Sequence, residues 1–168
     1  MAKVILICGK ICSGKTTYAK RLANENMAVR LSADEIMLAL FGQHLGEKHD
    51  EIDEKTRTYL FKKSIEIIES GINVILDWGF WTHEFRQYTS DFYIEKGIGI
   101  EWHYIDVNDN AWYRNIDERN DKINNGQENS YFIDQNILAK FNNKFEIPKK
   151  NEIDVWFINN WVKGIREY

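Results

Sequence analysis

The chain of 168 residues is 43% apolar and 29% charged, with one proline and ten glycines. That is the make-up of a single globular domain and excludes a collagen-like, disordered or linker chain. Its 22 basic and 26 acidic residues leave a net charge of −4, which weighs against a nucleic-acid partner without excluding one.

The longest apolar run near the start covers residues 4–8. A membrane span takes about 20 residues and a signal-peptide core at least about 7, so the expectation is a cytoplasmic protein. The two cysteines, Cys8 and Cys12, match neither a disulfide framework nor a zinc spacing, and suit a reducing compartment. Aromatic residues reach 14% and include six tryptophans, which reads as either a large core or a stacking pocket for a planar ligand.

Strands and helices alternate along the chain, the pattern of a parallel sheet covered by helices. Residues 3–8 form a buried strand bounded by Gly9, and good helix formers follow over 15–26. A short strand at 28–31 leads into Ser32-Ala33-Asp34-Glu35, a capping-box pattern opening a helix to about residue 41. A long helix is predicted over 50–70 with Gly71 as its stop, then a strand over 73–77. Residues 82–96 read as helix, 98–107 as strand, and 108 to about 120 as a helix capped by Asn108 or Asp109. A polar stretch at 121–129 reads as mobile. It is followed by a helix over about 133–144, a strand over 155–158 and a short helix to Tyr168. Neither an internal repeat nor a domain boundary breaks residues 1–168, which read as one domain.

Gly9-Lys10-Ile11-Cys12-Ser13-Gly14-Lys15-Thr16 has the spacing G-x-x-x-x-G-K-[ST], and it stands between a buried strand and a helix. Glycines allow a turn tight enough for successive N–H groups to surround a phosphate, and the helix N-terminus adds its partial positive charge. Residues 9–17, ending in Thr17, form the expected phosphate-binding loop. Within it Lys15 reaches β- and γ-phosphates and the Thr16 hydroxyl ligates Mg²⁺. Cys12 sits where a thiol can gain reactivity from a helix N-terminus, but reads better as a small residue whose backbone does the binding.

Asp77 closes the apolar strand Val74-Ile75-Leu76-Asp77, either as a carboxylate that holds Mg²⁺ or as a turn aspartate. Asp34 lies just beyond the second strand. It is either the base that takes a proton from an acceptor hydroxyl or an acid favoured in a first helical turn, as Glu35 is. Arg114 and Arg119 precede the polar stretch, and the segment of about 114–132 is a candidate lid that would exclude water. The competing reading pairs both arginines with Asp117, Glu118 or Asp121 on the surface. Five residues subtend about 140° beyond a full helical turn, so the two face one ligand only if the helix ends near Arg119.

These residues resemble P-loop kinases of the zeta-toxin, polynucleotide-kinase and chloramphenicol-phosphotransferase type, grouped as an AAA-like ATP-binding domain. The likeness rests on residues 9–16, on Leu31-Ser32-Ala33-Asp34-Glu35, on 71–77 and on the Arg114/Arg119 pair. It implies an α/β fold of three layers, a five-stranded parallel sheet between helices as in nucleoside kinases, with a small helical lid. It also implies ATP rather than GTP, Asp34 as the activating base, and Arg114 and Arg119 as lid arginines near the phosphates. Polynucleotide kinases carry an arginine three residues after the base, where this chain has Met37, so that arginine's contact with an acceptor phosphate is not expected here.

The segment Asp77-Trp78-Gly79-Phe80-Trp81-Thr82-His83-Glu84 follows the third strand, where this architecture places the acceptor. Trp78, Phe80 and Trp81 either wall an apolar pocket or pack beneath the loop, and His83 with Glu84 either orient a hydroxyl or lie on the surface. Three functions follow. The first is an ATP- and Mg²⁺-dependent kinase acting on the hydroxyl of a small molecule, favoured by the acidic balance and the aromatic acceptor segment. The second is a polynucleotide 5′-hydroxyl kinase, which needs a basic channel. The third is a nucleotide-operated switch or ATPase, which has no use for Asp34 as a base.

Overall fold

The computed structural model describes residues 1–43 and 45–159. The helix expected to end at Tyr168, like His44, lies outside them. Five parallel strands form one sheet in the order β2-β3-β1-β4-β5: β1 (Lys3–Gly9), β2 (Val29–Leu31), β3 (Val74–Asp77), β4 (Gly99–Asp106) and β5 (Val155–Ile158). The helices among the described residues are α1 (Lys15–Glu25), α2 (Ala33–Phe41), α3 (His49–Glu69), α4 (His83–Ile94), α5 (Asp109–Asn124) and α6 (Gln135–Lys144).

β1 is central, which is why residues 4–8 are apolar without alternation: both faces of a parallel strand must be covered. Ile5, Ile7, Ile75 and Ile105 pack with Tyr18 and Ala19 of α1 on one face. Val4, Leu6, Val74, Leu76 and Tyr104 pack on the other with Leu60, Phe61 and Ile68 of α3 and Tyr93 of α4. A third cluster joins Trp112 and Ile116 of α5 to Ile133 and Phe141 of α6, with Trp81 beside it. β1 has β3 on one side and β4 on the other. The chain crosses outward to β2 first and returns to β4 later, so the crevice at the carboxyl end of β1 is the switch point where such sheets bind ligands.

Local chemistry accounts for the helix starts. Ser32, Thr82, Asn108 and Asp134 each accept a hydrogen bond from the backbone N–H three residues on. The capping box at α2 is only half formed, because the Glu35 carboxylate pairs with Arg30 and does not turn back to the Ser32 amide. α5 continues to Asn124, four residues past the expected end. Nothing in 121–124 breaks a helix, and the first residue of the stretch with a left-handed backbone is Gly126 (φ +68°). Asn120 then clips the following loop shut, donating to the Ile133 carbonyl and accepting from its N–H, both at 2.9 Å.

Trp78 and Phe80 are 3% and 1% exposed and belong to the main core, and Trp81 packs edge-on against Phe141. Trp78 and Phe80 are therefore core, while Trp81 is half-buried against the cluster of α5 and α6. Phe80 takes a left-handed backbone (φ +45°) that folds the β3–α4 turn inward. Arg86 holds that turn. It is 3% exposed, donates from Nη1 to the carbonyls of Phe80 and Glu146 at 3.1 Å, and donates from Nε to Glu152 at 3.0 Å. His83 joins the same group through Glu152 at 3.1 Å, so it braces the approach to β5.

Burial works against the Glu152 charge, but the Lys149 amide, His83 and Arg86 outweigh it and hold its pKa down at about 2. A carboxylate depressed in the folded state stabilises fully above its unfolded value of 4.5, and that stability drains as pH falls toward 2. Urea unfolding across that window is expected to show a stability slope that Glu152→Gln flattens. Arg86→Met is expected to cost about 3 kcal/mol at neutral pH, because it strands a half-buried carboxylate and two carbonyls.

Candidate active site

The loop between β1 and α1 begins and ends on glycines that no other residue could replace. Gly9 (φ +153°) lies so close to β4 that a Cβ would stand 2.7 Å from the Ile105 carbonyl oxygen. Gly14 (φ +94°) caps α1, and a Cβ there would stand 2.6 Å from Asn159 Nδ2. No side chain caps α1 and no acidic residue occupies its first turn. Its leading N–H groups and partial positive charge therefore remain available to an anion.

The loop is held by its carbonyls. Lys15 Nζ donates to Gly9 O (3.1 Å) and Lys10 O (2.7 Å), and Trp112 Nε1 donates to Ile11 O (2.7 Å). Asn115 Nδ2 reaches Cys12 O (3.0 Å) and Asn159 Nδ2 reaches Ser13 O (2.8 Å). Lys10 pairs with Asp109 at 2.9 Å and lies 4.6 Å above the Trp112 ring. Cys12 has a left-handed backbone (φ +54°), and Arg119 Nη1 donates to its sulfur at 3.5 Å. Trp112, Asn115 and Asn159 were not singled out in the sequence. Their one signal there is polar hydrogen-bonding tips on α5 and just past the last strand.

Around this loop gather the expected charged residues. Lys15 is half-buried, and burial lowers its pKa, opposed most by Asp77 and less by Cys12 and Asp34. Asp34 is exposed on α2, yet the protein mass packed around it pushes its pKa up. Asp53 of α3 adds to that rise, and Lys15 and Arg119 counter it. Asp53 itself is paired with Arg57 at 2.7 Å. Asp77 is 3% exposed, and its Oδ2 accepts from Arg30 Nη1 at 2.9 Å.

Thr16 and Thr17 are exposed in the first turn of α1. Among the described residues no three His, Cys, Asp or Glu side chains cluster to hold a metal. The Thr16 hydroxyl with the Asp77 carboxylate is nonetheless a donor set that suits Mg²⁺, which keeps waters and takes one or two protein oxygens beside substrate phosphates.

α5 runs unbroken past Arg119, so the condition for both arginines to face one ligand is not met. Arg119 meets the loop, and Arg114 lies about 140° away round the axis. α6 and the loop before it reach α3: Lys140 donates to Asp50 at 3.0 Å, and the Tyr131 ring lies edge-on to His49 at 5.7 Å. Met37 is fully buried, so the position three residues after Asp34 contributes core.

Residues 4–148 match the AAA domain family. The chain belongs to that family. No functionally curated protein matches it. Among solved structures, this AAA domain is similar to Mycobacterium tuberculosis APS kinase CysC in complex with AMPPNP and APS. The identity is 16%, covering 96% of this chain and 90% of that one, with TM-score 0.66. Chaetomium thermophilum Kti12 in complex with ADP-AlF3 is 15% identical over 94% and 89%, with TM-score 0.70. A chain of the Pnkp1/Rnl/Hen1 RNA repair complex is 22% identical over 85% of this chain and 43% of its own, with TM-score 0.69. At these identities the likeness is one of fold: the chain has the α/β P-loop kinase fold. No helix among the described residues is long and apolar enough to cross a membrane.

The carbonyl anchors of this AAA domain make a specific demand. Asn115→Ala removes one anchor without touching the N–H groups that face a ligand. It is expected to weaken binding of a fluorescent ATP analogue by about 5- to 10-fold, the worth of about one hydrogen bond, with a melting temperature near that of the wild type. Gly9→Ala, which drives a methyl into the Ile105 carbonyl, is expected to abolish binding and lower the melting temperature.

Proposed function

We propose that this AAA domain is an ATP-dependent phosphotransferase that moves the γ-phosphoryl group onto a hydroxyl of a small-molecule acceptor. One observation carries the reading: Asp34, in the first turn of α2 just beyond β2, stands within electrostatic reach of Lys15 of the loop. A nucleotide-operated switch has no need of an acceptor-side base. The buried Met37 and the charge of −4 favour a small molecule over a polynucleotide 5′-hydroxyl, and a cytoplasmic setting fits both cysteines being unpaired.

In this reading the N–H groups of residues 9–17 surround the phosphates, and Lys15 exchanges its loop carbonyls for β- and γ-phosphate oxygens. Thr16 and Asp77 would hold Mg²⁺, which would supply charge neutralisation at the phosphates. The acceptor oxygen bonds to the γ-phosphorus while the bond to the β-phosphate oxygen breaks, and ADP departs with that electron pair. Asp34 takes the hydroxyl proton. Of the two arginines Arg119, on the loop side of α5, is the one assigned to the phosphates, with the segment 114–132 as the lid.

The test incubates the protein with Mg²⁺-ATP and a panel of nucleosides, amino sugars, UDP-sugars, chloramphenicol-like compounds and a 5′-hydroxyl oligonucleotide. One acceptor is expected to stimulate ADP release and to gain the mass of one phosphate. Asp34→Asn is expected to slow that transfer by about 10²- to 10⁴-fold while nucleotide binding persists. Because the base must be ionised, the rate should climb with pH through a midpoint above the ordinary carboxylate value of about 3.9, and Asp34→Asn should erase that limb. ATP consumption that ignores every acceptor and survives Asp34→Asn would point to the switch.

A further inference from the structure

Arg30 carries no role in the scheme above, yet its side chain bonds both to Asp77 and to the turn that carries Asp34. It lies on β2 at the sheet edge, in register with Ile75, two residues before Asp77 on the same face of β3. Its Nη1 donates to Asp77 Oδ2 at 2.9 Å, and its Nη2 pairs with the Glu35 carboxylate. The Arg30 and Asp77 side chains are 12% and 2% exposed. Glu35 adjoins Asp34 in the first turn of α2, and that turn is already fixed to Ser32 through the Glu35 amide. One planar guanidinium thus joins the carboxylate at the end of β3 to the turn that presents the proposed base. A lysine, with a single nitrogen, cannot span the two with fixed geometry.

We infer that Arg30 is a positioning residue, which orients Asp77 for the metal side of the site and, through Glu35, sets the Asp34 turn relative to it. The inference rests on the reading of Asp77 as a metal-side carboxylate. A purely structural counter-charge would steady the fold and nothing more. A positioning residue has a further signature, because removing the partner that orients a metal-side group weakens metal affinity by about 10- to 100-fold.

The experiment follows a fluorescent ATP analogue binding to the purified full chain, first in EDTA and then across a Mg²⁺ titration, with thermal melts in parallel. In Arg30→Met the Mg²⁺ concentration for half-maximal enhancement is expected to rise about 10-fold or more, while affinity in EDTA changes less than about 2-fold. Arg30→Lys keeps the buried positive charge. It is expected to melt near the wild type and still to need several-fold more Mg²⁺; it also carries the comparison if Arg30→Met does not fold. Glu35→Gln is expected to leave the Mg²⁺ curve where it was, since it loosens only the α2 arm.

Equal displacement of the EDTA and Mg²⁺ curves in the Arg30 variants, or a change in melting temperature alone, overturns the inference. Asp77→Asn separates the two levels. If it leaves the Mg²⁺ curve unmoved, the metal-side reading of Asp77 fails and the inference falls with it. If Asp77→Asn shifts the curve and neither Arg30 variant does, only the role of Arg30 is lost.

Discussion

A phosphate-binding loop must be rigid and yet keep its N–H groups for the ligand, and this protein meets both demands by gripping the loop through its carbonyls. Successive carbonyl oxygens from Gly9 to Ser13 accept from Lys15, Trp112, Asn115 and Asn159. Three of those donors come from α5 and the end of β5, more than a hundred residues along the chain from the carbonyls they hold. The sheet order brings them there: β4 and β5 lie on the far side of β1, so the segments that leave their carboxyl ends pass over the loop. The fold and the loop are thus one construction, with α5 braced directly against the loop.

The same closeness shapes the charges. Lys15 and Asp34 are each set in surroundings that disfavour their ionised forms, and each relieves the other. A triphosphate arriving beside Lys15 adds negative charge to the cleft, which raises a neighbouring carboxylate's proton affinity further. On the proposed mechanism Asp34 is therefore a stronger base with nucleotide present than without it, which couples proton removal to the presence of a phosphoryl donor. A net charge summed over the chain carries none of this, since the decisive charges are a handful at one point.

Much of the architecture was legible in the sequence for plain reasons. An unbroken apolar run such as Val4–Cys8 fits only a strand covered on both faces, and Ser32 and Asn108 announce helix starts by their chemistry. The glycine spacing of the loop follows from how tightly a backbone must turn. What was hidden depends on strand order. Arg30 looks like an ordinary charge on a short strand until β2 is known to lie beside β3, when it falls next to Asp77. Trp112 and Asn115 look like helix residues until α5 is known to cross the loop. The aromatic run after β3 reads either as a ligand wall or as core, and strand order alone does not decide between them: with a left-handed turn at Phe80, Trp78 and Phe80 join the core while Trp81 stays half-buried. The end of α5 was set four residues early, because a polar stretch without a breaker is as good a helix as a loop.

The Asn120–Ile133 clip has a consequence for how such a protein can change. Its two hydrogen bonds close the chain on itself across 13 positions, so both ends of the intervening segment are tied whatever lies between. Loop-closure cost grows only slowly with length. The bight can therefore lengthen or shorten while α6 stays seated on α5 and the phosphate loop keeps its anchors. Its charge carries one tie to the loop, since Glu128 within the bight pairs at 4.0 Å with Arg119, which in turn meets Cys12.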